Sequence, residues 1–217
     1  IHDNTPEHST KKWMIDYHDL KIERVLGKGV SGKVYEGRWG QSKVAIKLML
    51  DVASDAQLIE EAHTLIQLRH MNILLFLGIC IHEDKRYLIT ELLDGGSLES
   101  KLTTKFNLDF ASKVSILRDV SEGMSYLHGK KPPIVHRDLK PQNIFLDQYL
   151  RPKIGDFGLS KCGETVAGLA GTVQYCAPEI LAGQFDYTTS CDIYSFAILM
   201  YHVLTEQVPY GTGVMWN

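Results

Sequence analysis

Polar loops alternate with very short apolar segments between Ile134 and Gly158, and this pattern limits the folds open to the chain. The stretch reads IVHRDLKPQNIFLDQYLRPKIGDFG. Apolar segments at 144–146 and ending at Ile154, each bounded by polar turns, predict a small hairpin that holds two loops side by side. Such a hairpin would bring Asn143 close to Asp156. An amide and a carboxylate oxygen suit Mg²⁺, which takes one or two protein oxygens and leaves its other positions to water and phosphate.

The composition indicates a globular protein with an ample core. The chain has 217 residues, 44% of them hydrophobic, and a net charge of −3. It has no run of eighteen apolar residues that would predict a membrane span, and no apolar signal region at its start. No long basic block indicates binding to nucleic acid. The four cysteines lack CxxC spacing, which favours reduced thiols in a cytoplasmic protein.

A second motif is the glycine-rich segment 27–34, which reads GKGVSGKV. In a dinucleotide-binding oxidoreductase, a GxGxxG motif precedes a helix. Here the residues that follow alternate in polarity and include Gly37 and Gly40, which predicts two strands joined by a turn. The sequence therefore argues against the oxidoreductase, while a glycine-rich hairpin without a ligand stays open.

A lysine and a glutamate follow at positions where the sequence predicts that their charged groups are at least partly buried. Lys47 ends an apolar run, so its ammonium would need an anion, unless its side chain lies along the surface. A helix is predicted over residues 54–69. On its helical wheel Glu61 borders the apolar side, whereas Glu60 points away. Glu61 is therefore the carboxylate that burial would force into a pair.

Other elements are predicted from periodicity and turn residues. Strands are expected around Leu20–Val25 and over 73–81 and 87–93. A core helix is expected over 109–128, with Val114, Leu117, Val120, Met124 and Leu127 at helical spacing. A strongly apolar helix, 193–204, is expected to begin after Asp192.

Three segments together resemble a protein kinase. They are HRDLKPQN at 136–143, DFG at 156–158 and APE at 177–179, which are similar to the catalytic loop, the metal loop and the end of the activation segment. The resemblance covers about Leu20 to Gly211. It implies an α+β bilobal fold, with a small antiparallel β lobe that carries one key helix and a mainly helical large lobe.

The resemblance also implies domain boundaries within a single kinase domain, 1–217. A lead-in would occupy 1–12, the small lobe 13–90, the hinge 91–98 and a partial large lobe 99–217. Because kinase domains usually extend further, the large lobe is expected to be incomplete at its C-terminus.

The cofactors implied by the resemblance are ATP and Mg²⁺. Asp138 would orient the acceptor hydroxyl and take its proton, and Lys140 would neutralise charge on the transferred phosphoryl group. Lys47, paired with Glu61, would orient the α- and β-phosphates of ATP. Asn143 and Asp156 would bind the metal. His136 and Phe157 would be structural, in an internal apolar stack.

The ATP-binding residues implied by the resemblance form two sets. The backbone of the glycine-rich loop would hold the phosphates through Gly27, Lys28, Gly29, Val30, Ser31 and Gly32. The adenine would contact Val34, Ala45, Thr90, Glu91, Leu93 and Phe145.

The polar segment between Asp156 and Glu179 is a candidate regulatory loop. In similar kinases, an arginine at the place of Arg137 pairs with a phosphate on this segment. This implies activation by an upstream kinase or by autophosphorylation, with Thr165 as the first candidate site and Ser160 as the second. Thr172 resembles the position that contacts the substrate or Asp138.

Further segments narrow the kind of kinase. Lys140-Pro141-Gln142 resembles serine/threonine kinases, and segments 72–78, 94–98 and 143–146 resemble the tyrosine-kinase-like group, Raf-like kinases in particular. The expected partner is a protein substrate with a Ser/Thr acceptor, and neither nucleic acid nor a membrane span is expected. Raf-like kinases can pair through their small lobes, so a homodimer stays open.

Two alternatives remain. One is a dual-specificity or tyrosine kinase. The other is a catalytically weak pseudokinase that acts as an ATP-binding scaffold or switch. Pseudokinases usually lose Lys47, Asp138 or Asp156, all of which are present here.

Overall fold

Alternating segments in the first part of the chain form an antiparallel sheet. The computed structural model describes residues 13–29, 32–50, 54–104, 106–156, 173–183 and 188–211, without the side chains of Gln57, Glu60 and Glu61. Its five-stranded sheet has the order β1-β2-β3-β5-β4. The strands are β1 (Leu20–Gly29), β2 (Gly32–Trp39), β3 (Ser42–Met49), β4 (Phe76–His82) and β5 (Lys85–Glu91).

Residue contacts divide the chain into two compact units. The first is Ile1–Arg69 with Leu74–Leu92, and the second is His70–Ile73 with Leu93–Asn217. The short segment 70–73 groups with the second unit because the Asn72 side chain donates to Pro152 O at 3.1 Å and the Ile154 N–H donates to Asn72 O at 2.8 Å. Ile73 also bridges Ile154, so β4 begins at Phe76 rather than at the predicted residue 73.

One buried cluster of the first unit lies on one face of the sheet. Every second residue of β3 and of its neighbouring strands lies on this face, because successive side chains along a strand point to opposite faces of the sheet. Each such aliphatic side chain contributes about 1.5–3 kcal/mol on full burial. The buried cluster consists of Ile15, Val44, Ile46, Cys80, Tyr87 and Ile89.

The helix of the first unit, α1 (Asp55–Ile66), is shorter than predicted. Its buried side is formed by Leu58, Ala62 and Leu65, and it packs against β4. The helix tightens at its end, where the Leu68 N–H donates to Leu65 O at 3.1 Å. Leu68 is consequently buried, whereas Arg69, which the predicted helix 54–69 includes, lies beyond the observed helix and is exposed.

The second unit contains the predicted long helix. Helix α2 (Leu98–Thr103) precedes α3 (Phe110–His128). Asp109 caps α3, because its carboxylate accepts from the Ser112 N–H at 2.7 Å. The prediction for this helix is confirmed except at Val114, which is 45% exposed, while Ile116 is buried in its place.

The predicted hairpin is present as β6 (Ile144–Leu146) and β7 (Pro152–Ile154), paired antiparallel. Its inward side chains are fully buried. Gly123 of α3 lets the hairpin approach closely, since a Cβ there would lie 2.8 Å from Ile154 Cδ1. The hairpin is thus fixed against the long helix of its own unit.

Two further helices are α4 (Pro178–Leu181) and α5 (Thr189–Thr205). Helix α5 begins earlier than predicted because Thr188 caps it, with its hydroxyl oxygen accepting from the Ser190 N–H at 3.3 Å. Asp192 therefore lies within the first turn of the helix, not before it. In the described ranges, no helix combines the length and apolar composition needed to cross a membrane. Cys80, Cys176 and Cys191 are free thiols.

Candidate active site

In the first unit, four predicted nucleotide-binding residues share one face of the sheet. Lys47 lies opposite Val34, and Ala45 lies opposite Thr90. Ala45 and Lys47 are two residues apart on β3, so their side chains point the same way. Lys47 is buried, which removes the alternative of a lysine lying along the surface.

Gly32 and Gly27 of the β1–β2 hairpin have different steric surroundings. Gly32 has φ +149°, and a Cβ at this position would lie 2.1 Å from Leu48 O. The sheet itself therefore requires glycine at Gly32. Around a Cβ at Gly27, by contrast, no heavy atom of the described part of the chain lies within 4 Å. Contacts within the described part of the chain do not explain the glycine at Gly27.

The end of β5 is tied back to the chain before β4. The Glu91 N–H donates to Leu75 O at 3.0 Å, and the Glu91 carboxylate accepts from the Leu75 N–H at 2.7 Å. The Thr90 hydroxyl donates to Glu91 O at 3.1 Å. These bonds fix the backbone at two predicted adenine-contact residues.

In the second unit, Asp192 of α5 holds the catalytic-loop sequence. It accepts from the His136 N–H through Oδ2 at 2.8 Å and from the Arg137 N–H through Oδ1 at 2.8 Å. His128 Nε2 also lies 2.8 Å from Oδ2. Arg137 has φ +71°, a left-handed conformation that needs such support in a residue with a side chain.

His136 is a buried, neutral member of this loop. Its Nδ1 accepts from the Asp138 N–H at 3.2 Å, so the proton resides on Nε2, which donates to Gly155 O at 3.1 Å. Burial lowers the pKa of His136, against the opposing effects of Asp192 and Asp138. A neutral imidazole with both nitrogens engaged positions the loop and is not placed to act as a general base.

The two carboxylate oxygens of Asp138 differ in their hydrogen-bond partners. Oδ2 lies 2.7 Å from Lys140 Nζ and accepts from Asn143 Nδ2 at 3.0 Å. Oδ1 is buried and has no hydrogen-bond partner among the described residues. Because a buried acceptor without a donor is costly, Oδ1 is prepared to receive a hydrogen bond from a ligand.

The amide of Asn143 is oriented so that its oxygen remains available. Its Nδ2 makes both side-chain hydrogen bonds found within the described residues, to Asp138 O at 2.8 Å and to Asp138 Oδ2 at 3.0 Å. The backbone carbonyl of Asn143 accepts a further hydrogen bond, from the Gly155 N–H at 2.9 Å. This bond attaches the chain before Asp156 to the catalytic loop, and Asp156 itself has φ +59°.

These residues fit a hard cation. The amide oxygen of Asn143 and the carboxylate of Asp156 are the kinds of ligand that Mg²⁺ prefers. In the parts of the chain that the structure describes, no cluster of three or more His, Cys, Asp or Glu could hold a metal by itself. A cation at this pair would therefore take its other ligands from water and phosphate.

The remaining predicted residues of the second unit lie around β6. The Gly95 N–H donates to Leu146 O at 3.0 Å, and the Leu146 N–H donates to Gly96 O at 2.8 Å. Phe145 bridges Ser97, and the Gly96 N–H donates to Leu93 O at 3.4 Å. The segment from Leu93 to Ser97 is thereby attached to the hairpin.

Several predicted residues lie outside what the structure describes. They are Val30, Ser31, Phe157, Ser160, Thr165 and Thr172, together with the side chain of Glu61. The pairing of Lys47 with Glu61 and the position of the phosphorylation sites stay predictions.

Sequence reasoning missed the role of Asp192. The signal was present, because an aspartate inside an otherwise apolar helix must find donors once the helix is buried. It also missed Glu99 and Gln142, each of which has a buried side-chain oxygen that lacks a hydrogen-bond partner among the described residues. No sequence pattern marks these two oxygens, because their environment arises only from packing.

Comparison with known proteins identifies longer relatives. A probable serine/threonine-protein kinase of Dictyostelium discoideum is 37% identical over 222 residues, covering 96% of this chain and 22% of that protein. Serine/threonine-protein kinase CTR1 of Arabidopsis thaliana is 35% identical over 208 residues, covering 91% of this chain and 25% of that protein. Dual specificity protein kinase shkC of Dictyostelium discoideum is 34% identical over 217 residues, covering 95% of this chain and 43% of that protein. The chain thus spans less than half the length of each of these relatives.

A family model settles the relationship over nearly the whole chain. The model described as "Protein kinase domain" matches residues 20–215. These residues include the glycine-rich hairpin, the buried Lys47 and the loop of Asp138. The match confirms the resemblance on which the fold prediction was based, and the chain belongs to the protein kinase family.

Proposed function

We propose that this protein is a serine/threonine protein kinase that transfers the γ-phosphoryl group of ATP to a hydroxyl of a protein substrate. The observation that carries the proposal is the Asp138 carboxylate. Lys140 and Asn143 fix its Oδ2, while Oδ1 is buried without a partner among the described residues. A fixed carboxylate with one open oxygen suits a group that orients a hydroxyl and takes its proton.

The other residues would position the nucleotide, because phosphoryl transfer depends mainly on positioning and charge stabilisation. Lys47, paired with Glu61, would bind phosphate oxygens. The absence of any heavy atom of the described residues within 4 Å of a Cβ at Gly27 supports a close approach of phosphate to the loop backbone. Asn143 and Asp156 would hold Mg²⁺, which supplies charge neutralisation at the phosphates when bound. Lys140 would balance the charge on the transferred group.

Serine and threonine are the proposed acceptors. The two relatives named serine/threonine kinases support this, as does Lys140-Pro141-Gln142. A second candidate is a dual-specificity kinase, because relatives at similar identity carry that name. The phosphorylated amino acids of the product distinguish the two.

Regulation and context are further parts of the proposal. Phosphorylation of Thr165, or of Ser160, by an upstream kinase or by the protein itself would activate it by pairing with Arg137. Full activity of a Thr165→Ala variant would count against Thr165.

The cytoplasmic location, the homodimer and the domain boundaries stay predictions. The pseudokinase alternative is less well supported, since Lys47, Asp138 and Asp156 are all present.

The test is phosphate transfer from ATP, with Mg²⁺, to a generic basic protein. The wild type is compared with Asp156→Asn, and with Asp84→Asn as a control that removes an exposed acid from the β4–β5 turn. We expect transfer to serine and threonine by the wild type and the control, and none by Asp156→Asn. If the wild type binds ATP but transfers nothing, the kinase proposal fails and a scaffold explains the chain better.

A further inference from the structure

A buried pair of side chains joins helix α5 to the 3₁₀ turn Val173–Tyr175, which precedes α4. Tyr175 and His202 are 4% and 5% exposed. The Tyr175 hydroxyl lies 2.6 Å from His202 Nδ1, and the two rings are stacked with their centroids 6.3 Å apart. The turn has a second attachment to α5, because Ser195 Oγ donates to Tyr175 O at 2.7 Å. The side chain and the backbone of Tyr175 are therefore held by different residues of the same helix.

This turn lies near the catalytic loop. Burial raises the pKa of the Glu99 carboxyl on α2, while Lys140 acts in the opposite direction. After burial, Glu99 also contributes to the raised pKa of the Tyr175 phenol, so Glu99 is close to both residues. Lys140 Nζ in turn lies 2.7 Å from Asp138 Oδ2. Because each residue of an extended chain spans about 3.3–3.6 Å, the residues that flank a hydroxyl at Asp138 can reach this turn.

A charge on His202 would be costly. Burial lowers the pKa of His202, so the imidazole is neutral near pH 7. Protonation would place a charge beside a neutral phenol, whichever ring nitrogen carries the first proton, and opening of the contact would let water solvate that charge. The titratable and charged side chains on the elements around His202 are Tyr175, Glu99, Lys113 with Glu206, and His128 with Asp192.

The cation nearest in the fold is already neutralised. Lys113 of α3 pairs with Glu206 at 2.6 Å, and the Glu206 N–H donates to His202 O at 2.8 Å. This ion pair ties α3 to the end of α5 and does not depend on the protonation of His202. A change in the His202 side chain therefore acts mainly on its contact with Tyr175.

We propose that His202 is a positioning residue that acts through Tyr175 on the binding of the protein substrate. Neutral His202 holds the Tyr175 side chain against α5. Protonated His202 releases it, while Ser195 keeps the backbone of the turn attached. The inference rests on the proposed kinase function and adds that binding of the protein substrate weakens in acid. Binding of ATP should be unaffected, since no residue of the turn is a proposed nucleotide contact.

The test is the KM for the generic basic protein between about pH 7.5 and pH 5.5, with the KM for ATP measured on the same samples. In the wild type the KM for the protein should rise by roughly 3- to 10-fold toward acid, the effect of losing one hydrogen bond between neutral groups. The change should be centred below about pH 6.5, the ordinary histidine pKa. Comparison of variants at each pH cancels the titration of ATP and of the substrate.

Three variants separate the two attachments of the turn. His202→Gln should have a KM for the protein that changes little with pH relative to the wild type. Tyr175→Phe should raise this KM at pH values where His202 is neutral, and should reduce its change with pH. Ser195→Ala removes the attachment that does not titrate, so it should raise the KM by the same factor at every pH.

The controls are His18→Gln and Glu122→Gln, which change an exposed residue in each unit and should keep the wild-type profile. If the wild-type KM for the protein is the same at every pH, or His202→Gln keeps the rise, the inference is wrong while the kinase function stands. If the KM for ATP rises in parallel, His202 acts on the fold as a whole and the inference is again wrong. If the wild type transfers no phosphate at any pH, the proposed function itself fails.

Discussion

Lys140 has both a structural contact in the catalytic loop and a proposed role in phosphoryl transfer. Its ammonium holds Oδ2 of Asp138, and in the proposed mechanism it also offsets charge on the transferred phosphoryl group. Lys140→Met keeps the aliphatic chain and removes both effects. We expect phosphoryl transfer to slow by about 10²–10³-fold, the loss typical for removing one stabilising donor. A single-turnover assay measures this.

The control for Lys140 is Lys85→Met, which removes an exposed charge in the other unit. It should transfer phosphate at the wild-type rate. ATP should raise the melting temperature of both variants, since Lys140 is proposed to act only on the transferred phosphoryl group and all other proposed contacts to ATP are kept. A Lys140→Met variant with the wild-type rate would remove Lys140 from the mechanism.

At the scale of single residues, the sequence indicates candidate motif residues but not the residues that support them. Asp138, Asn143 and Asp156 follow from short segments whose chemistry is recognisable in the residues themselves. Asp192 meets its donors at His136 and Arg137 only after the chain has folded. The sequence indicates that a buried aspartate needs donors, but the separation along the chain gives no pattern that identifies these two N–H groups as the donors.

Among the elements, α5 holds the catalytic loop through the side chain of Asp192. Asp192→Asn keeps the shape of the side chain but turns one oxygen into a donor that faces a backbone N–H. We expect the free energy of unfolding to fall by about 1–3 kcal/mol, because a buried donor is left unpaired. Phosphoryl transfer should slow as well, since Arg137 loses support for its left-handed conformation. Urea unfolding and a turnover assay check both effects, with Glu122→Gln as the control. Unchanged stability together with an unchanged rate would contradict this role.

The β1–β2 hairpin offers a matched pair of glycine substitutions. Gly32→Ala would place a Cβ 2.1 Å from Leu48 O, so the strands must separate and the protein should lose at least about 1 kcal/mol of stability. The Cβ of Gly27→Ala would have no heavy atom of the described residues within 4 Å, so this variant should change the free energy of unfolding by less than about 0.5 kcal/mol. Its effect should instead be a higher KM for ATP.

Unfolding curves and the KM for ATP of the two variants distinguish these roles. Equal destabilisation by both substitutions would mean that Gly27 is also required by the fold. A KM for ATP that Gly27→Ala leaves unchanged would remove this glycine from the proposed phosphate site.

The elements themselves were largely predictable, but their ends were not. Alternation and turn residues gave the strands and the β6–β7 hairpin, and helical spacing gave α3. Helix α1 ends before Arg69 because its last turn tightens around Leu68, and α5 starts before Asp192 because Thr188 caps it. Both ends depend on hydrogen bonds that periodicity does not encode.

Across the whole molecule, two buried histidines make stability depend on pH. Burial lowers the pKa of both His136 and His202, and the Tyr175 hydroxyl lies 2.6 Å from His202 Nδ1. The unfolded chain therefore binds protons that the folded chain does not. Stability is fully present above the unfolded histidine pKa of about 6.5 and falls as the pH drops below it.

Each such proton lowers the free energy of unfolding by up to about 1.4 kcal/mol per pH unit in that range. His136 should contribute most, because it is the more deeply buried. Urea unfolding between about pH 7.5 and pH 5.5 measures the slope. His202→Gln should reduce the slope, and the exposed control His18→Gln should leave it unchanged. A flat profile for the wild type would contradict the neutral form of both buried histidines.

The most direct test of the proposed function is the rate of a single phosphoryl transfer by Asp138→Asn, with ATP binding in the presence of Mg²⁺ measured on the same sample. The substitution keeps the size of the side chain and an oxygen for Lys140, but it removes the base. The account predicts ATP binding like that of the wild type and transfer at least about 10²-fold slower. A variant that binds ATP and transfers phosphate at the wild-type rate would contradict it.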